Sequence, residues 1–160
     1  MNNYLKTLIN SNPNIPIGFN CDGTLFEARW MVKRITIEDD SEEALLDVMS
    51  KTDFLYTEPI PFMKKFVSYQ IHSNNVFVIS EIHNNVEFEH KTRELHQHYR
   101  RISRLFWAKS MEDKIKHLDA ILKDDGEFIY IDGDLKEIIA LERHFNNPNC
   151  YFFHSSSLIV

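Results

Sequence analysis

The sequence predicts an α/β fold: a three-layer sandwich in which a mostly parallel, five-stranded sheet lies between helices. Two observations carry this. Five short apolar runs, at residues 15–19, 76–79, 105–108, 128–131 and 150–153, have strand length and lack polar alternation, as strands buried on both faces do. Helical patterns separate them, which favours parallel pairing through crossover connections. A third observation locates the chemistry. Two runs end in Asp-Gly turns, Asp22-Gly23 and Asp132-Gly133, and ligands of open α/β sheets bind outside the carboxyl ends of strands.

Composition sets the bounds. A chain of 160 residues is expected to form a single domain, 1–160, large enough for one buried core. A formal net charge of −6 argues against binding a nucleic-acid polymer or a membrane surface through global charge. No apolar run is long enough for a membrane helix, and residues 1–14 are too polar for a targeting core. Cys21 and Cys150 are far apart and form no metal-type pair, so free thiols in the cytoplasm are the expectation. Cys21 reads as small buried filler, since a nucleophilic role needs a base that the sequence does not identify.

In chain order, residues 2–9 carry a weak helical pattern through Tyr4, Leu5, Leu8 and Ile9, and 10–14 form a turn-rich link. The strand at 15–19 stops at Asn20-Cys21-Asp22-Gly23-Thr24, a sharp turn. Residues 27–58 are an excursion with one helix at 42–50, its acidic start suited to the helix dipole. After Pro59 and Pro61, the spacing of Phe62, Phe66, Val67 and Ile71 predicts a helix. The strand at 76–79 ends in Ser80.

Residues 86–99 read as a polar helix with His83, His90, His96 and His98 around it; a solvated face accounts for them better than a metal site. The basic cluster of Arg100, Arg101 and Arg104 is explained as compensation of that helix's C-terminal dipole. Beyond the strand at 105–108, Ser110 is a plausible N-cap for a helix whose apolar face is Ile115, Leu118, Ile121 and Leu122. Lys114 sits in its first turn, where a cation opposes the dipole. The turn Asp124-Asp125-Gly126, the strand at 128–131, Asp132-Gly133-Asp134, a helix at 135–144 and a strand at 150–153 complete the chain.

The stretch IPIGFNCDGTLF, residues 15–26, resembles the first motif of the haloacid dehalogenase (HAD) superfamily, an apolar strand followed by Asp-x-Asp-Gly-Thr. The resemblance implies a Rossmann-like three-layer sandwich with a small cap inserted at 27–58. It makes Asp22 the general acid-base and places Asn20 where the family has its nucleophilic Asp. A neutral amide is a far poorer nucleophile than a carboxylate. By the same resemblance Ser80 is the hydroxyl that binds the phosphoryl group, and Lys114, with Lys109 as runner-up, neutralises it. Asp132 and Asp134 are the acids of the magnesium motif. Two registers stay open: Asp132 as the ligand at the strand tip, or Gly133-Asp134 as the family's Gly-Asp pair with Glu137 behind it.

The resemblance thus implies phosphate binding by Asp22, Gly23, Thr24, Ser80 and Lys114, and Mg²⁺ binding by Asn20, Asp22, Asp132 and Asp134. Mg²⁺ takes oxygen ligands and retains waters, which this set allows. The implied partner is a small phosphorylated metabolite, with nucleoside monophosphates suggested by similarity to small-capped 5′-nucleotidases. Trp30, Met31 and Phe54 are candidates for a base pocket or for packing of the cap. Three functions follow: a magnesium-dependent phosphohydrolase slowed by Asn20, a phosphate- or nucleotide-binding pseudoenzyme, and an α/β protein without a ligand.

Overall fold

The computed structural model describes residues 1–27, 58–71 and 74–159. The expected cap, its helix at 42–50, and Trp30, Met31 and Phe54 lie outside the described residues. None of the described helices is long and apolar enough to cross a membrane.

The chain opens with helix α1 (Asn3–Ser11), capped by the Asn2 side chain on the Tyr4 N–H, and Leu5 and Ile9 are its buried face. Strand β1 (Ile17–Phe19) follows. Helix α2 (Pro61–Lys65) begins with proline at its first position, where no intrahelical N–H is needed. The expected helix at 62–71 is thus only partly α-helical: residues Phe66–Gln70 widen into a π-type turn that buries Phe66 and Val67. Strand β2 (Val76–Glu81) leads to helix α3 (Asn85–His98), whose N-cap is Asn84.

Strand β3 (Ile102–Ala108) starts earlier than its apolar run, so Arg104 belongs to the strand. Its partner is Asp125, at 2.8 Å. This corrects its assignment to the end of the preceding helix. Helix α4 (Met111–Asp125) is capped by Ser110 as expected and closed by Gly126 in the left-handed region, φ +83°. Strand β4 (Phe128–Asp132), helix α5 (Leu135–Phe145) and strand β5 (Cys150–His154) complete the sheet. The serine-rich stretch after it forms a short 3₁₀ turn, Ser155–Leu158.

The sheet has the order β3-β2-β1-β4-β5, and every neighbouring pair is parallel, so the fold is a Rossmann-like α/β sandwich. Alternate residues of each strand feed two cores. On one face Ile17, Phe19, Val76, Val78, Ile129 and Ile131 pack with Leu5 and Ile9 of α1, Phe66, and Leu95 of α3. On the other, Phe77, Ile79, Phe128 and Tyr130 pack with Leu118 and Ile121 of α4 and Ile138 and Leu141 of α5. Each fully buried side chain of this size stabilises the fold by about 1.5–3 kcal/mol. Gly18 makes room on this second face: a Cβ there would overlap the Phe77 ring, which stacks on Tyr130.

The order also creates a switch point. The chain runs from β1 outward through β2 to β3, then returns to the other side of β1 with β4 and β5. Crevices at such reversals, beyond the carboxyl ends of the strands, are where open α/β sheets bind ligands.

Candidate functional site

The register pairs Phe19 with Ile131, and the Asn20 N–H donates to the Ile131 carbonyl at 3.0 Å, so the turns after β1 and β4 leave the sheet side by side. The two turns touch through backbone. A Cβ on Gly133 would overlap the Gly23 carbonyl, and the Gly133 N–H donates to Thr24 Oγ1 at 2.7 Å. Gly23 adopts φ +69°, a conformation that glycine reaches without strain. Thr24 is fully buried, so its hydroxyl holds the two turns together.

Asn20 joins the motif residues. Its Nδ2 donates to Asp132 Oδ1 at 3.1 Å and to the Asp22 main-chain carbonyl at 3.4 Å. Its Oδ1 accepts from the Cys21 N–H at 2.9 Å. The Cys21 N–H can only donate, so it sets which end of the amide faces Asp132. Asp132 Oδ1 also accepts from the Asp134 N–H at 2.9 Å, while its Oδ2 is buried without a hydrogen-bond partner among the described residues.

Two lysines reach into the cluster. Lys114 is fully buried, with its Nζ paired to Glu137, 3.6 Å from Asp132 Oδ2 and 4.0 Å from Glu81 Oε1. Burial works against its charge, but Asp132 and Glu137 outweigh that and raise its pKa. The first-turn misfit in the sequence thus reflects an ammonium among carboxylates. Lys109, the runner-up, is exposed.

Lys91 of α3 is the residue that sequence reasoning missed. Its Nζ lies 2.5 Å from Asp22 Oδ2, 2.7 Å from the Glu81 carbonyl and 2.6 Å from Glu87 Oε1, occupying all three of its donors. Burial lowers its pKa, yet Asp22 and Glu87 more than reverse this and leave it raised. Glu87 Oε2 in turn accepts from the His83 N–H at 2.7 Å and lies 3.1 Å from His83 Nδ1. Burial raises the Glu87 carboxyl, but His83 and Lys91 overcome it and hold it down at about 2. The helix whose histidines read as a solvated face also carries a relay, through buried Glu87 and Lys91, from His83 to Asp22. The i, i+4 spacing of Glu87 and Lys91 was the available signal.

Burial pushes the Asp132 carboxyl up to about 7, against the opposing pull of Lys114 and the Asp134 N–H. Asp134 itself serves the helix: its Oδ1 accepts from the Lys136 and Glu137 N–H groups as the N-cap of α5. The Asp132 carboxylate lies inside the cluster, while Asp134 Oδ1 caps α5. Ser80 is fully buried, and its hydroxyl donates to the Glu81 carbonyl at 3.3 Å. Burial also pushes the Cys21 thiol far up, in keeping with a buried filler.

The donor set can be tested against a divalent cation. Asp132 Oδ2 is a buried oxygen without a hydrogen-bond partner, the Asp22 carbonyl accepts only weakly, and Asp22, Glu81, Glu87, Asp132 and Glu137 outnumber Lys91 and Lys114. These fit a cation. Asn20 fits only through Oδ1, which accepts from the Cys21 N–H. Among the described residues no three His, Cys, Asp or Glu side chains form a metal-type group.

A cavity of about 400 Å³ lies elsewhere, at the start of β5, lined by Glu142, Asn146, Asn147, Pro148, Cys150 and Phe152. It shares no residue with the strand-tip cluster. No protein-family model matches this chain, and no curated protein does either.

Proposed function

We propose that the protein is a HAD-like phosphate-monoester-binding protein whose hydrolytic step is crippled at Asn20. The observation that carries this reading is the Asn20 amide, which meets both Asp132 and the Asp22 carbonyl at the switch point of the sheet. A phosphoryl-transfer site needs groups placed against the charge on the transferred group and a nucleophile in line with it. The first requirement is supported by buried Lys114 and Ser80 near the strand tips. The second is unmet, because the amide nitrogen has no free lone pair and the amide oxygen is held by Cys21.

Mg²⁺ belongs to this proposal as the cofactor: Asp132 and the Asp22 carbonyl would hold it, joined by Asn20 Oδ1 once the amide turns away from Cys21, and it would supply the positive charge that the phosphoryl oxygens require. Lys91 orients the Asp22 carboxylate, and Lys114 balances Asp132. The ligand is a small phosphate monoester, nucleoside monophosphates included.

The test compares the chain with Asn20→Asp on p-nitrophenyl phosphate and on nucleoside monophosphates, with Mg²⁺ present. The wild type is expected to stay near background, and the variant to gain about 100-fold or more in turnover, as a carboxylate nucleophile is restored. Isothermal titration of the wild type with orthovanadate and Mg²⁺ checks binding separately. Silence of both proteins in both assays overturns the proposal.

A further inference from the structure

We infer that in the free protein the Asn20 amide nitrogen occupies the place of a cation between the strand tips, and so keeps a divalent cation from binding alone. The inference rests on reading the β1 and β4 tips as a HAD-like site, and it concerns how that site is held before any ligand arrives.

Three observations lead to it. Asn20 Nδ2 bridges two oxygens from different turns, Asp132 Oδ1 at 3.1 Å and the Asp22 carbonyl at 3.4 Å. A donor that joins a carboxylate to a carbonyl does what a cation there would do: it cancels the repulsion of facing oxygens. Secondly, the amide is locked from behind. Turning it to offer Oδ1 would set its NH₂ against the Cys21 N–H, donor facing donor, and lose the 2.9 Å bond. A cation must therefore displace two hydrogen bonds and break a third before it gains one neutral ligand. Thirdly, the two lysines already stand among the nearest carboxylates. Asp22 is held by Lys91 at 2.5 Å, and Lys114 stands among Glu137, Asp132 and Glu81. Asp132 Oδ2 is a buried oxygen without a hydrogen bond among the described residues, and a single carboxylate oxygen holds Mg²⁺ weakly.

A carboxylate at position 20 reverses the situation. It would face Asp132 Oδ1 across the same short gap with no donor of its own, so the free variant is destabilised and a cation becomes a means of closing the tips.

The experiment measures thermal unfolding of wild type and Asn20→Asp with and without 10 mM Mg²⁺, and Mn²⁺ binding to both by electron paramagnetic resonance. The wild-type Tm is expected to stay within about 1 °C on adding Mg²⁺, with no bound Mn²⁺ signal. Asn20→Asp is expected to melt roughly 5 °C lower in chelator and to recover most of that in Mg²⁺. If the variant does not fold in chelator, refolding in Mg²⁺ supports the inference, and failure to fold in either condition overturns it. A wild type stabilised by Mg²⁺ alone as strongly as the variant also overturns it, as does a folded variant indifferent to Mg²⁺. Adding phosphate together with Mg²⁺ to the wild type tests the phosphate-binding reading by itself: its failure leaves a metal-indifferent wild type and a metal-dependent variant intact.

Discussion

Glu87 is 2% exposed yet held as a carboxylate, because His83 donates to one oxygen and Lys91 pairs with the other. Its pKa of about 2 lies below the ordinary value of 4.5, so the folded state binds this proton less readily than the unfolded chain. The stabilisation is therefore complete above pH 4.5 and is lost as pH falls towards 2. Urea unfolding between pH 6 and 2.5 is expected to show the wild type losing on the order of 3 kcal/mol more than Glu87→Gln across that window. Equal losses would mean that the relay does not hold the carboxylate. Asn20 is the other decisive residue. Its exchange for Asp is expected to add turnover and metal dependence together, since one carboxylate supplies both an attacking oxygen and a ligand.

Among the elements, the contact that matters is between two turns rather than between helices. Gly133 approaches the Gly23 carbonyl so closely that no side chain fits, and Thr24 bonds across the gap. Gly133→Ala is expected to cost about 1–3 kcal/mol in chemical denaturation and to spread the β1 and β4 tips, abolishing vanadate binding. Gly126→Ala is the control: its strain at φ +83° sits at the far end of α4 and should lower stability without touching vanadate affinity. The same logic explains why α3 is less solvated than its composition suggests. It lies over the β1 turn, where Tyr99, just beyond its end, donates from its hydroxyl to the Leu25 carbonyl at 2.5 Å, and Lys91 reaches Asp22.

For the molecule as a whole, a parallel sheet covered on both faces concentrates stability at its centre. β1 lies between β2 and β4 and is buried throughout. Amides that tie these strands together, such as Ile129 to the Pro16 carbonyl and Ile17 to the Asn75 carbonyl, both at 2.9 Å, are expected to exchange with deuterium only through global unfolding. The Tyr4 N–H, bonded only to the Asn2 side chain at the exposed start of α1, should exchange orders of magnitude faster. Comparable rates would show that the centre of the sheet is not its most stable part.

Local chemistry along the chain was enough to set the elements and their endings. Apolar runs at 15–19, 76–79, 128–131 and 150–153 all became strands, Ser110 capped α4, and the two Asp-Gly turns fell at strand tips, because periodicity, capping and turn chemistry act over a few residues. Arg104 went the other way, since a basic residue near a helix end reads alike whether the next strand has begun or not. It took the packed fold to bring β4 back beside β1, to bury Lys91 against Asp22, and to turn the Asn20 amide nitrogen towards Asp132. Those outcomes depend on which elements become neighbours and on what each donor finds there, and residues more than a hundred positions apart, such as Asn20 and Asp132, carry no local trace of it.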